Sequence, residues 1–422
     1  MSWIGNSISI NAVILDIKFC DEPDNLSGSF LLSVFNLAVC WYIWQILYFC
    51  RVIVYNKTVY KINKTEDAED MNVTRAIQRV FGQKPVSVER EPLAFDSGVS
   101  NRIASPRAGV MRYRIISADG AVRSFVGKSK TMAIIANGIR LLSGGDIIAF
   151  LLLVLEHKAL GYNDSSVREV YIYRALAPEL SAHVPVFIGA YTDSFTKESF
   201  LAMEELPSAA PRSDKLTEVI DIITEFHARY YGDVSAAEQM KLNNYSPRDY
   251  KRIRSRFRRM LQRLHDEDTE IFGEDKLAVI ERFIGELHIC HAEVSFHRTL
   301  THNDLSPRNI SAYDGDIRIY DWELAAYQNP EHDIIELLIS MLHELSDEQA
   351  LSALHHHREV LAEKTGVQLT DEQYCTILRF NTLELCINKL CMLRLAGKHL
   401  GLDYTEQLAI NAARMMDILN IT

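Results

Sequence analysis

The segment THNDLSPRNISAYDGDIRIYDWELA, residues 301 to 325, collects oxygen-bearing side chains at spacings that suit cation chemistry. Ile310 to Tyr313 and Ile317 to Tyr320 read as two short strands rich in Ile and Tyr. Asp314-Gly315-Asp316 joins them, and Asp-Gly between such runs signals a hairpin. With Tyr313 paired to Ile317 across a three-residue loop, the antiparallel register sets Asn309 opposite Asp321; a two-residue loop shifts this by one position. Directly opposed side chains stand about 4.5 to 5.5 Å apart at Cβ, so the open end of the hairpin brings a carboxamide and a carboxylate together. Such oxygens suit a hard cation such as Mg²⁺, which takes one or two carboxylates together with phosphate oxygens and water. Asp304, on the loop entering the hairpin, is placed to face the same site as a base or orienting group for an attacking hydroxyl.

The elements that must position these residues fall into two kinds. From Met71 to Leu206 the chain shows strand-like segments, RYRIIS, RSFVGK and FLAMEEL, around one or two helices. After Leu206 it becomes almost wholly helical apart from the hairpin. That shift predicts an α+β fold, a small sheet-bearing lobe followed by a larger helical one. In the second part, Leu216, Val219, Ile220, Ile223, Phe226 and Tyr230 follow helical spacing with Gly232 as the stop, which puts His227 at the edge of a buried stripe as a packing residue. The basic run RDYKRIRSRFRRMLQR from Arg248 reads as the solvated face of a helix, with contact to anionic lipid as the alternative.

Residues 29 to 50, SFLLSVFNLAVCWYIWQILYFC, carry no charge and are as long as the roughly 20 residues that cross a bilayer. The acidic DEPDN precedes them, while Arg51, Lys57, Lys61 and Lys64 follow, so the positive-inside rule places the remainder in the cytoplasm. On this reading residues 1–28 are a tail, 29–50 a membrane-spanning apolar helix outside the domain, 51–70 a linker, 71–206 the N-lobe and 207–422 the C-lobe. The alternative is that residues 1–70 lie outside the functional protein, with Met71 as a start of its own. A second apolar run, Ile147 to Leu155, is too short to span and reads as a buried helix. A net charge of −11 argues against nucleic acid as a partner. The seven cysteines are scattered with no Cys-x-x-Cys spacing, as expected of reduced thiols. A glycosylation sequon at Asn309 conflicts with a metal-binding role there, which again favours the cytosol.

His302-Asn303-Asp304, Asn309 and Asp321-Trp322-Glu323 together resemble the aminoglycoside phosphotransferase and choline kinase superfamily, the small-molecule branch of the protein-kinase-like two-lobed fold. The protein-kinase pattern H-R-D-L-x-x-x-N followed by D-F-G has the same spacing, with Asn303 here in place of Arg and Trp322-Glu323 in place of Phe-Gly. The resemblance implies Asp304 as catalytic base, Asn309 and Asp321 as Mg²⁺ ligands, and His302 as a support of the loop. It extends over most of residues 90 to 340. Ser97-Gly98-Val99-Ser100-Asn101 is similar to the loop over the ATP phosphates. With a single glycine there, Ser97, Ser100 and Asn101 would have to add donors. Lys128 matches the lysine that touches the α and β phosphates, with Lys130 as its competitor, and Glu169 matches the lysine's helix partner. Glu169 has a second reading, because Ser166-x-x-Glu169 is also a capping box. Met203, Glu204, Glu205 and Leu206 look like the hinge whose backbone holds adenine, and Asp333 falls where the family keeps a loop-bracing aspartate.

What this implies is an ATP- and Mg²⁺-dependent enzyme that phosphorylates a hydroxyl of a small molecule, a metabolite, a sugar-like antibiotic or an amino alcohol. Protein kinases need a long activation segment before an A-P-E anchor; here only about a dozen residues separate Asp321 from Asp333. Two other readings stay open. One is a membrane-tethered nucleotide-binding regulator without catalysis, and the other a protein kinase of unusual type. The acceptor's identity and the oligomeric state do not follow from the sequence.

Overall fold

Alternating inward-facing residues build the first part of the fold. In the computed structural model, which describes residues 66–93, 109–130, 143, 164–193, 198–207 and 209–421, helix α1 (Glu66–Phe81) precedes strands β1 (Ser87–Pro92), β2 (Val110–Ile116) and β3 (Val122–Lys130). Helix α2 (Ser165–Leu176) then leads to β4 (Phe187–Thr192) and β5 (Ser199–Met203). The strands form one antiparallel sheet in the order β1-β2-β3-β5-β4. Met111, Tyr113, Ile115, Phe125, Phe200 and Ala202 face one side of it and meet Ala76 and Ile77 of α1 in an apolar core, the two-residue period expected of half-buried strands. The expected strands RYRIIS, RSFVGK and FLAMEEL therefore form β2, β3 and β5. Every described residue belongs to one compact unit, Ile53–Thr422. The expected apolar helix at 29–50, the run 147–155 and the loop of Ser97, Gly98, Ser100 and Asn101 lie outside the described residues. Among the described residues no helix is long and apolar enough to cross a membrane.

Beyond the sheet the chain is mostly helical. Helices α3 (Leu216–Arg229) and α4 (Val234–Gln239) are followed by α5 (Pro247–Val294), then by strand β6 (Thr299–Thr301) and the hairpin β7 (Ile310–Tyr313) and β8 (Asp316–Ile319). Strand β9 (Ala326–Gln328) pairs back onto β6, a second small ladder that the reading of one hairpin omitted. Helices α6 (Glu331–Met341), α7 (Asp347–Thr365), α8 (Asp371–Leu385), α9 (Cys391–Leu400) and α10 (Tyr404–Ile418) complete the chain. The apolar stripe expected on α3 is buried, His227 with it.

At 48 residues α5 would be about 70 Å long if straight. Instead it doubles back. Gly273 sits at φ +71, His265 lies 3.0 Å from Glu274, and Arg254 Nη1 donates to Gly285 O at 3.0 Å, so the two halves run antiparallel. The basic run is therefore not a purely solvated face. Tyr250, Ile253, Phe257, Met260 and Leu264 are buried against the rest of the helical part, and Arg256 with them.

Candidate active site

Two separate groups of charged side chains flank the open end of the hairpin. The first is centred on Lys128, two residues from the end of β3. Its Nζ lies 2.8 Å from Glu169 of α2, 2.5 Å from Asp321 and 2.9 Å from Glu323. Lys130, on the same strand face, pairs with Glu323 at 2.7 Å and among the described residues with no other acid, so the lysine that meets Glu169 is Lys128. The alternative role of Glu169 is not seen. The N-cap of α2 is Asp164, not Ser166, with no side-chain cap, and Glu169 turns to the lysine instead.

The electrostatics of this group follow from burial. Loss of water pushes the Glu169 carboxyl up to about 7, with Asp321 and Glu323 adding to the rise and Lys128 opposing it. Burial works against the charge on Lys128, yet the acids Asp321, Glu169 and Glu323 outweigh it and hold the ammonium well above its ordinary range. Glu323 is also desolvated, but Lys128 and Lys130 keep it far below the usual carboxylate range. Carboxylate oxygens of Glu169, Asp321 and Glu323 all lie within 4.8 Å of one another. Oε1 of Glu169 is buried without a hydrogen-bond partner among the described residues.

Helix α2 also holds the tight turn that follows the hairpin. Arg168 donates to Glu323 O at 2.9 Å and to Lys241 O at 2.8 Å, and Asp321 N donates to the Tyr173 hydroxyl at 3.3 Å. Asp321 itself has φ +68, a conformation that Asp and Asn tolerate better than other residues with a Cβ. The next residue, Trp322, is fully buried between the rings of Phe226 and His302, at centroid distances of 5.0 and 4.7 Å.

The second group is centred on Asp304. Asn309 Nδ2 donates to Asp304 Oδ2 at 2.9 Å and to Asp304 O at 2.8 Å. Because its two donors go to Asp304, the remaining amide oxygen of Asn309 is the atom left for a cation. Lys389 holds the other carboxylate oxygen of Asp304 and one of Glu336. Burial raises the Asp304 carboxyl, but Lys389 and Arg308 outweigh it, so the acid sits below its ordinary range. Glu336 goes the other way, pushed up by burial, while its Oε2 accepts Leu305 N at 3.0 Å.

The loop between the groups is braced from below. Asp333 at the start of α6 is fully buried. It accepts the backbone N–H of His302 at 2.7 Å and of Asn303 at 2.8 Å, and faces His227 Nε2 at 3.1 Å. His302 Nε2 donates to Tyr320 O at 2.9 Å, which makes its ring a strut between loop and hairpin. Asn303 adopts φ +59. Its side chain donates to Leu324 O and accepts from Gln328, both at 2.9 Å.

One expectation needs correction. The strands pair Tyr313 with Asp316 and Ile310 with Ile319, so the turn is the two-residue Asp314-Gly315, both at positive φ, as a type I′ turn requires. Asn309 is therefore opposite Tyr320, whose N–H donates to Asn309 O at 3.0 Å, and not opposite Asp321. Asp304 and Asn309 form one contact group and Asp321 another, joined through the backbone of residues 309, 320 and 321.

Of the other expected residues, Met203 ends β5, and Glu204 N bonds Val186 O at 3.0 Å while its carboxylate accepts Val186 N at 2.8 Å and pairs with Arg318. Glu205 turns its carboxylate to Arg112. Leu206 leads into Pro207, whose carbonyl accepts Ser311 Oγ at 2.7 Å, so this stretch is stitched to the hairpin. Sequence reasoning had not singled out Lys389, Glu336, Tyr173 or Arg168. Only Glu323 carried a signal, as part of the Asp-Trp-Glu triplet.

A profile of the phosphotransferase enzyme family (APH) matches residues 149–365, over half of the 422 residues. The chain belongs to that family, within the aminoglycoside phosphotransferase and choline kinase superfamily that its motifs resemble. Among solved structures it is similar to the choline kinase LicA from Streptococcus pneumoniae, at 14% identity and a TM-score of 0.44 over 83% of this chain and 98% of that one. It is also similar to the macrolide 2′-phosphotransferase MphH from Brachybacterium faecium, at 15% identity and a TM-score of 0.42 over 81% and 97%. An aminoglycoside phosphotransferase from Alicyclobacillus acidocaldarius gives 13% identity and a TM-score of 0.43 over 81% and 94%. No curated protein sequence matches this one.

Proposed function

We propose that the chain transfers the γ-phosphoryl group of ATP, taken as its Mg²⁺ complex, to a hydroxyl of a small molecule. The observation that carries this reading is the contact of Lys128 with both Glu169 and Asp321, which ties a sheet lysine, a helix acid and the acid after the hairpin into one cluster. In this assignment residues 71–206 form the nucleotide-binding lobe and 207–422 the lobe that carries Asp304 and the acceptor pocket.

Lys128 binds the α and β phosphates and is oriented by Glu169. The donor set fits the metal: Asp321 and the amide oxygen of Asn309 are hard oxygen donors, and Glu323 and Glu169, whose Oε1 has no hydrogen-bond partner among the described residues, add acid beside Asp321. When bound, Mg²⁺ neutralises phosphate charge during transfer. The backbone of Glu205 and Leu206 is assigned as the adenine-facing edge, and the motif of Ser97, Gly98, Ser100 and Asn101 is assigned to the phosphates by its resemblance alone. Asp304 orients the acceptor hydroxyl and accepts its proton. Asn309 holds one oxygen of that carboxylate in place, while His302 and Asp333 fix the loop, so the acid needs little rearrangement to act.

A small acceptor is favoured by how the chain continues after Asp321. Trp322–Leu324 is a single tight turn and Ala326–Gln328 is paired to Thr299–Thr301. That stretch is used up in bracing the loop, with no free length to dock a polypeptide.

Titration calorimetry of the full chain with ATP tests the reading. Wild type binds ATP with Mg²⁺ present and at least tenfold more weakly when the metal is chelated; Asp321→Ala loses that metal dependence and Lys128→Met weakens binding in both conditions. ATP affinity unaffected by chelation and by both substitutions sinks the assignment.

A further inference from the structure

The acid expected to meet the acceptor already has a cation on it. Lys389 lies in a single π-helical turn, Cys386–Leu390, between α8 and α9. Such wide turns are rare and recur at functional sites. Cys386, Ile387, Leu390 and Cys391 around it are buried in the helical core, so the turn is fixed on that side. Lys389 projects to the other side, where its Nζ touches both Asp304 and Glu336.

The cluster is largely buried. The Lys389 and Asp304 side chains are 21% and 20% exposed and that of Glu336 only 6%. Arg308, an exposed residue with its guanidinium 5.3 Å from the Tyr404 ring centroid, also acts on Asp304. Two acids and two cations thus cancel around the reacting position. An acceptor that brings its own ammonium finds no uncompensated carboxylate here, and entering it must approach Lys389 at short range in a poorly solvated site, where like charges repel strongly. A neutral or anionic hydroxyl compound meets no such barrier, and an anionic group can use the exposed Arg308.

We propose that Lys389 is a built-in ammonium occupying the place of a cationic acceptor, so that the site takes hydroxyl compounds without positive charge beside the reacting hydroxyl. This rests on the phosphotransferase reading for the word acceptor, but its test does not require turnover. The full chain is titrated calorimetrically with choline, ethanolamine and ethylammonium. Wild type shows no saturable binding of any of them. Lys389→Ala acquires saturable ethylammonium binding, at least tenfold tighter than the weakest affinity the titration registers, and adding Asp304→Asn removes it. Saturable choline or ethanolamine binding by wild type that Asp304→Asn abolishes overturns the proposal, as does a folded Lys389→Ala with no gain. If Lys389→Ala does not fold, the wild-type titration with and without Asp304→Asn decides alone. Failure of ATP binding in the earlier titration, with these ammonium results intact, refutes the phosphotransferase assignment and not the role of Lys389.

Discussion

Replacing Asp333 with Asn keeps size and shape but removes a charge and one acceptor from beneath the loop that carries Asp304. The native carboxylate takes two backbone N–H groups, from His302 at 2.7 Å and Asn303 at 2.8 Å, and faces His227 at 3.1 Å. Burial opposes its ionisation, and the His227 contact more than compensates, holding the acid below its ordinary range. An amide can satisfy one of the two N–H groups through its oxygen; its NH₂ then confronts the other donor. One charge-assisted bond is lost and a buried N–H is orphaned, which together cost about 3 kcal/mol. Urea unfolding of wild type and Asp333→Asn measures this directly, with the midpoint falling at unchanged slope. Phosphoryl transfer should fall at least tenfold while ATP affinity changes little, because the Lys128 cluster is untouched. A stability change under about 0.5 kcal/mol, the range of ordinary surface substitutions, would falsify the bracing role.

Further outcomes follow from particular contacts. Gly127→Ala places a Cβ 2.5 Å from Tyr113 Cε2 and 2.8 Å from Phe200 Cζ; this overpacking costs about 1–3 kcal/mol and, being next to Lys128, weakens ATP binding by calorimetry. Gly315→Ala, at φ +82 in the hairpin turn, lowers stability by about 1 kcal/mol in the same urea assay. His291 is held neutral down to about 4 by burial and by Arg298, whereas the unfolded chain takes up that proton near 6.5. The unfolded state therefore binds more protons in between, and stability falls by about 3 kcal/mol as pH drops through that window. His291→Phe, which retains packing on Tyr250 and Phe380, flattens the profile; an equally steep loss in the variant rules out His291 as its source.

Much of the architecture was legible because it is local. Strand-like composition marked β2, β3 and β5, helical spacing marked α3, and Asp-Gly between Ile- and Tyr-rich runs marked the hairpin. Of the two loop lengths open in the sequence, Asp314-Gly315 closes the two-residue one, which shifts the Asn309–Asp321 pairing by one position; a two- and a three-residue loop look alike in sequence. Asp304 and Asn309 touch because five residues separate them on one loop. Lys389 comes from 85 residues further on. Its aim depends on a π-turn, which shifts the helical register at a point no residue type announces, so no pattern could have selected it. The fold-back of α5 had one signal, Gly273, overlooked because the basic run before it reads as a single exposed helix. Charge alone misled there: Arg256 is fully buried.

Following labelled γ-phosphate from ATP to a panel of hydroxyl compounds, in wild type and Asp304→Asn side by side, probes the chemistry itself. Wild type should label a small compound, and Asp304→Asn should lose at least a hundredfold in rate with ATP affinity kept within about threefold, as removal of a positioned base requires. Equal labelling by the two chains would contradict a phosphoryl-transfer site built on Asp304.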